Sequence, residues 1–120
     1  MKKVLIVDNS SYMRKFIKKI IEKGGFNTTI EASSKEEAVE IFKAQSPEIV
    51  ILDLNMSEFT MDGISVLNDI MKINTETAVI IISAVGHQSV KDECIALGAK
   101  SYVRKPFEAE TLLKVLEECK

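Results

Sequence analysis

Several residues that can bind a cation or act on a phosphoryl group follow short, mostly apolar runs in this sequence of 120 residues. The runs "VLIV", "IVIL", "VIII" and "SYVR" are followed in turn by Asp8-Asn9, Asp53, Ser83 and Lys105. Singly these residues are ordinary, because strands end where solvent begins and an Asp or Ser there often only caps the next helix. If they meet, two carboxylates lie close together, and like charges cost free energy unless a cation or a reaction uses them. The set therefore indicates a site.

The residue types favour Mg²⁺ and phosphoryl chemistry. Ligands that are all oxygen, two carboxylates and an amide, suit Mg²⁺ rather than Zn²⁺. An aspartate can attack phosphorus to form an acyl phosphate, while a metal, an ammonium and a hydroxyl stabilise the phosphoryl oxygens. Asp53 is the best nucleophile because the most apolar strand precedes it. For Ser83 a helix cap and a phosphate contact are equally open, whereas Ser10 or Ser11 is expected to be a cap.

Other functional classes are disfavoured by composition and motif. Sixteen Lys and Arg against eighteen Asp and Glu give a net charge of -2, which argues against nucleic acid and anionic membranes. No Gly-rich loop follows the first run, so nucleotide or flavin binding is not expected. His87 is the only histidine and has no obvious partner for a catalytic triad, so it is predicted to be exposed. Cys94 and Cys119 form no metal motif and are expected to pack in the core or on the surface.

Length and apolar pattern predict one cytoplasmic domain spanning residues 1–120. The first apolar run stops at Asp8, too early for a signal peptide, and no segment reaches transmembrane length.

The elements that must position these residues alternate between strands and helices. Runs that are apolar at every position predict central parallel strands, and runs with polar members predict edge strands. The predicted strands are 4–7, 28–32, 49–52, 79–83 and 101–104, with 28–32 and 101–104 at the edges. Helical periodicity fills the intervals, and two further helices are predicted at roughly 88–97 and 108–118.

Residues that commonly begin or end helices agree with this division into strands and helices. Gly24-Gly25 predicts the end of the first helix, Ser34 with Glu37 forms a capping box for the second, and Pro47 stops that helix. Five βα units predict a doubly wound, five-stranded parallel sheet of the flavodoxin type, with strand order 2-1-3-4-5, and are too few for a closed barrel. Ligands of such sheets bind at the carboxyl ends of the strands, where the polar residues lie.

Over its whole length the chain resembles the receiver domain of bacterial two-component response regulators, and among these the single-domain chemotaxis regulators. The resemblance is carried by "VLIVDNSSYMRKFI", "PEIVILDLNM", "MDG", "IIISAVGHQSV" and "ALGAKSYVRKPF". It implies that Asp53 is the phosphoacceptor, with Lys105 and Ser83 as partners of the phosphoryl group and Ala84 leaving room for it. It also implies a Mg²⁺ site made by Asp8, Asn9, Asp53 and the backbone carbonyl of Asn55.

The resemblance also implies a switch and two protein partners. Ser83 and Tyr102 are the expected switch pair, although a half-buried aromatic of an edge strand explains Tyr102 equally well in another state. A histidine kinase is expected to dock on Met13, Arg14, Ile17 and Pro106, and the bond between Lys105 and Pro106 is expected to be cis. The fourth helix, fifth strand and fifth helix would present a changed surface to a downstream protein. A monomer that is not a turnover enzyme is expected.

Two departures from the family pattern open a second hypothesis. Receivers usually carry two acidic residues after the first strand, whereas this chain has Asp8-Asn9, and the loss of one charge should weaken Mg²⁺ binding. The loop over residues 56–62 has Ser57 where the family has Pro, and two extra residues. The alternative is therefore a divergent receiver that binds little or no metal and acts as a protein-interaction module.

An aspartyl-phosphate phosphatase is a third hypothesis. That class places its nucleophile after the first strand in a D-x-D pattern, and "VDNS" lacks the second aspartate.

Overall fold

The computed structural model describes residues 2–54, 62–84 and 86–119, excluding the side chain of Asp62. Within these residues, five strands alternate with five helices. In chain order they are β1 Lys3–Val7, α1 Ser11–Lys23, β2 Thr28–Ala32, α2 Lys35–Gln45, β3 Ile49–Asp53, α3 Asp62–Ile73, β4 Ala78–Ser83, α4 Gln88–Ala96, β5 Ser101–Arg104 and α5 Ala109–Glu117. All strand pairs are parallel and the order is β2-β1-β3-β4-β5. The predicted fold is confirmed, with β2 and β5 at the edges.

Helices cover both faces of the sheet, which explains why the central strands are apolar at every position. One core cluster joins alternate strand residues to α2, α3 and α4, and includes Leu5, Val7, Val50, Leu52, Val79, Ile81, Phe42, Leu67, Ile70 and Cys94. The other joins the remaining strand residues to α1 and α5, and includes Val4, Ile6, Ile49, Ile51, Ile80, Ile82, Ile17, Ile21, Leu112 and Leu116. A rigid, close-packed layer therefore backs the carboxyl edge on both sides.

Helix α1 ends in a Schellman motif at the predicted glycines. The Gly25 N–H donates to the Glu22 carbonyl and the Phe26 N–H to the Ile21 carbonyl, both at 3.1 Å. Gly25 has φ +92°, a conformation that glycine adopts without a steric cost. The motif turns the chain from α1 into β2.

The capping box of α2 differs from the prediction by one residue. The Ser34 hydroxyl accepts from the Glu37 N–H at 3.2 Å, as predicted. The Glu37 carboxylate accepts from the Ser33 N–H at 2.7 Å, rather than from the N–H of Ser34. Pro47 follows Ser46, whose φ of 49° ends the helix.

Among the helices of the described residues, none has the length and apolar character to cross a bilayer.

Candidate functional site

Asp8 lies immediately after β1, with 2 % of its surface exposed. One carboxylate oxygen, Oδ1, accepts from the Ser10 N–H at 2.9 Å. The other, Oδ2, lies 3.3 Å from the Lys105 Nζ. Ser10 is the N-cap of α1 and its hydroxyl accepts from the Met13 N–H at 3.2 Å, so the cap expected at Ser10 or Ser11 is Ser10. The start of α1 thus holds the Asp8 carboxylate in place.

Asp53 is the last residue of β3, one residue beyond the predicted strand, and is 6 % exposed. Its Oδ1 lies 3.7 Å from the Lys105 Nζ. Behind it, the Gly63 N–H donates to the Leu54 carbonyl at 2.9 Å. A Cβ at Gly63 would lie 2.5 Å from the Asp53 carbonyl oxygen, so only glycine lets α3 approach this strand end.

Lys105 connects the two carboxylates. Its backbone N–H donates to the Ser83 carbonyl at 2.8 Å, which joins the end of β5 to the end of β4. The Lys105–Pro106 bond is cis, as predicted. Asp8, Asp53 and Lys105 carry a combined charge of -1, so the group still favours an additional cation.

The donor set at this edge fits a hard divalent cation. Asp8 and Asp53 supply carboxylate oxygens, and Asn9, exposed beside Asp8, adds a carboxamide. Within the described ranges, no group of three or more His, Cys, Asp and Glu side chains forms a metal cluster. Amide, carbonyl or water oxygens would complete the shell of such a cation. Asn55, the predicted carbonyl ligand, lies outside the described residues, as do the two extra residues of the loop.

Ser83 and Tyr102 form a hydrogen-bonded pair beside the carboxylates. Ser83 is fully buried, whereas Tyr102 is half-buried and lies opposite Ile81 in the sheet register, on the same face as Ser83. Burial raises the pKa of the Tyr102 hydroxyl above its ordinary value, and the hydrogen bond with Ser83 acts in the opposite direction. Ala84 follows Ser83 and is exposed at the mouth of the site.

Three of the four residues predicted to dock a kinase are buried, partly buried or bound to other residues of the chain. Ile17 is 1 % exposed in the core between α1 and the sheet, so its side chain offers almost no surface to a partner. Met13 is partly buried against the same core. Arg14 is bound to Glu31 and to the Asp8 carbonyl. Pro106 is exposed.

Aromatic residues that were not predicted to be functional from the sequence occupy the exposed part of this region. Tyr12 is 76 % exposed and Phe16 40 %. Their rings stack with centroids 6.5 Å apart, and Phe16 also lies 6.1 Å from the ring of Phe107. Tyr12 and Phe16 are spaced by four residues, and this spacing was the available sequence signal.

The cysteines and the histidine lie outside the site. Burial raises the pKa of both the Cys94 and the Cys119 thiols, which are free and packed in the core. His87 is exposed at the start of α4, as predicted.

Comparison with known proteins identifies the family of this chain. The profile of the response regulator receiver domain matches residues 4–117. The chain is 40% identical to the chemotaxis protein CheY of Bacillus subtilis over 116 residues, which cover 97% of this chain and 95% of that protein. It is also 40% identical to CheY of Thermotoga maritima over 117 residues, 98% of this chain and 96% of the relative.

Solved structures give the same result. A chain in the crystal structure of the CheX–CheY–BeF3–Mg²⁺ complex from Borrelia burgdorferi has a TM-score of 0.91 and 35% identity, with 98% of this chain and 87% of that chain covered. A receiver domain protein from Clostridium thermocellum has a TM-score of 0.87 and 31% identity, with 99% and 94% covered. The chain therefore belongs to the response regulator receiver domain family, and it is a receiver domain of the CheY type.

Proposed function

We propose that this chain is a stand-alone response regulator, in which Asp53 accepts a phosphoryl group from a histidine kinase with the help of Mg²⁺. CheY-type receiver domains are signalling proteins rather than turnover enzymes. The observation that carries the proposal is the contact of one ammonium, Lys105 Nζ, with both buried carboxylates, at 3.3 Å from Asp8 and 3.7 Å from Asp53. By likeness to the CheY proteins, we place it in the cytoplasm as a monomer.

Asp53 would act as the nucleophile. Its carboxylate oxygen attacks phosphorus, the bond from phosphorus to the donor nitrogen breaks, and an acyl phosphate forms on Asp53. The Lys105 ammonium lies beside the attacking carboxylate. During the transfer it can contact a phosphoryl oxygen and stabilise the negative charge there. Asp8, Asn9, Asp53 and the Asn55 carbonyl would hold Mg²⁺, which supplies charge neutralisation when bound. The complex of the Borrelia relative, with Mg²⁺ and BeF3, supports this assignment.

The proposed switch depends on the fact that a hydroxyl group has only one proton to donate. Ser83 has one O–H donor, so a Ser83 that donates to a phosphoryl oxygen can pair with Tyr102 only as an acceptor. Phosphorylation would thus change the hydrogen bonding of Tyr102, which lines a cavity of about 210 Å³ with Gly86, His87, Gln88, Lys91 and Arg104. We propose that a downstream protein reads this change on the face formed by α4, β5 and α5.

For kinase docking, we propose the exposed Tyr12 and Phe16 and the partly buried Phe107 in place of the buried Ile17. Tyr12, Phe16 and Phe107 form a continuous ladder of rings next to Pro106. Pro106 directly follows Lys105, so a partner on this ladder would lie close to Asp53.

The test is phosphorylation with acetyl phosphate and Mg²⁺, followed by intact-protein mass and by release with hydroxylamine, which cleaves acyl phosphates. We expect the wild type to gain one phosphoryl group and Asp53→Asn to gain none. Asp92→Asn is the matched control, because Asp92 is an exposed aspartate that bonds to Gln88 on α4. Equal labelling of the wild type and Asp53→Asn would contradict the proposal.

A second function, a protein-interaction module without metal, is favoured by one observation. Asn9 replaces an acidic ligand beside Asp8 and leaves the three-residue group at a charge of only -1. Under this alternative, the wild type would neither bind Mg²⁺ nor accept phosphate.

A further inference from the structure

Arg14 of α1 connects the metal side of the site to the neighbouring strand. Its Nη1 donates to the backbone carbonyl of Asp8 at 2.6 Å. Its Nε donates to the Glu31 carboxylate at 2.9 Å, and the Arg14 side chain is only 14% exposed. These contacts leave little of the guanidinium free for a docking partner.

The same short segment is fixed from several directions. Glu31 lies in β2 opposite Ile6 of β1, and the Asp8 N–H donates to the Ala32 carbonyl at 3.1 Å. The Asp8 Oδ1 accepts from the Ser10 N–H. Arg14 therefore fixes the carbonyl of the peptide that joins Asp8 to Asn9, the two residues at the proposed cation site.

We propose that Arg14 is a positioning residue for cation binding and that Glu31 is its anchor. The proposal rests on the Mg²⁺ site of the proposed function. By holding the Asp8 carbonyl, Arg14 sets the direction in which the Asp8 carboxylate and the Asn9 carboxamide face the cation. Groups that orient metal ligands through one intervening bond commonly change metal affinity when they are replaced.

The sign of the effect separates positioning from simple electrostatics. Arg14 is a cation close to a cation site, so its charge alone repels Mg²⁺. Removal of that charge in Arg14→Gln should therefore tighten binding if charge dominates. If positioning dominates, Arg14→Gln should weaken binding although the repulsion has been removed.

The experiment measures Mn²⁺ affinity by paramagnetic broadening of amide NMR signals, with Mg²⁺ titrations as a second probe. We expect Arg14→Gln to weaken Mn²⁺ binding about tenfold, a typical loss for an orienting residue. Arg14→Lys keeps the charge but cannot span both acceptors, so it should also weaken binding. Glu31→Gln retains an acceptor for Arg14 and should have a smaller effect.

A control is needed for general destabilisation. Gly25→Ala puts a side chain at a φ of +92° in the turn at the far end of α1 from Asp8, and should lower the melting temperature without changing Mn²⁺ affinity. In metal-free protein, hydrogen exchange at the Ser10 amide reports the order of the segment directly, because that N–H is bonded to Asp8. We expect faster exchange in Arg14→Gln than in Gly25→Ala.

Each outcome decides a different point. Unchanged or tighter Mn²⁺ binding in Arg14→Gln, in a chain whose wild type binds Mn²⁺, overturns the positioning role alone. An effect confined to transfer from a kinase, with normal Mn²⁺ binding, also overturns it and restores Arg14 to docking. A wild type that binds no Mn²⁺ overturns the metal half of the proposed function, and the inference with it.

Discussion

The two sides of the site differ in how firmly their polar groups are held. On the side of β1 and α1, Asp8 is held through its N–H, its carbonyl and both carboxylate oxygens. On the side of β4 and β5, the Ser83 hydroxyl can rotate, and its partner Tyr102 is half-buried on an edge strand. The first arrangement suits a fixed charge and the second suits a hydroxyl that changes partners. Under the proposed function, the first side would bind the cation and the second would respond to phosphorylation, so we call them the fixed side and the responsive side.

Lys105 belongs to both sides and should show the largest effect when it is removed. Its backbone is bonded to Ser83 and its ammonium to Asp8 and Asp53. We expect Lys105→Ala to slow phosphorylation by acetyl phosphate about 10² to 10³-fold at saturating Mg²⁺, as for other lost transition-state donors. The same change should tighten Mg²⁺ binding, because a competing cation has gone.

Mass spectrometry of reactions quenched at successive times measures the phosphorylation rate. A Mn²⁺ titration of the same protein measures its cation affinity. Lys91→Ala, an exposed lysine on α4, is the matched control. A phosphorylation rate within threefold of wild type would remove Lys105 from the chemistry and leave it as an ion-pair partner only.

Asn9→Asp addresses the fixed side and should have the next largest effect. An added carboxylate raises the ligand charge, and we expect Mg²⁺ binding to tighten about tenfold, which corresponds to about 1.4 kcal/mol. Without metal, the variant should be less stable at neutral pH, because three carboxylates would then lie together near Lys105.

Calorimetric titration with Mg²⁺ checks this expectation, and Asn27→Asp supplies an exposed control before β2. If the wild type binds Mg²⁺ weakly and Asn9→Asp restores binding, the metal site is weakened. If neither protein binds Mg²⁺, the metal site has been lost, and this result favours the hypothesis of a protein-interaction module.

The sequence predicted those features that depend on neighbours along the chain. The apolar strands and the polar residues at their ends could be predicted, because a strand that is buried on both faces is apolar at consecutive positions of the sequence. The pairing of Arg14 with Glu31 was not visible, since the two residues are 17 positions apart and meet only through the pairing of β1 with β2.

Helix α1 shows a second limit. At helical spacing, Phe16 and Ile17 fall on one apolar stripe with Met13, Ile20 and Ile21, yet Ile17 is buried and Phe16 is 40 % exposed. The stripe is wider than the surface that α1 shares with the sheet and α5, and the sequence does not show which edge of the stripe faces solvent.

The hydrogen bond between Ser83 and Tyr102 offers a more modest test of the responsive side. We expect a double-mutant cycle of Ser83→Ala and Tyr102→Phe to give a coupling energy of about 1 kcal/mol in the unphosphorylated protein. Urea unfolding of the four proteins measures it. Phosphorylation of Asp53 should change this coupling, because Ser83 would then donate to the phosphoryl group and could pair with Tyr102 only as an acceptor. An unchanged coupling would mean that Ser83 keeps its partner and that the two sides do not communicate through it.

The smallest expected effect is the alkaline pH dependence of that same pair. The folded-state pKa of Tyr102 is raised, mainly by burial, so its stabilising contribution is complete below the unfolded value of about 10 and is lost as the pH rises through the folded value. The stability advantage of the wild type over Tyr102→Phe should therefore shrink above about pH 10. Urea unfolding of both proteins from neutral to alkaline pH measures this difference, and Tyr12→Phe, at a tyrosine that is 76 % exposed, is the control. A constant advantage across that range would show that the Tyr102 hydroxyl stays in contact with water, and the division between a fixed side and a responsive side would then need a different switch residue.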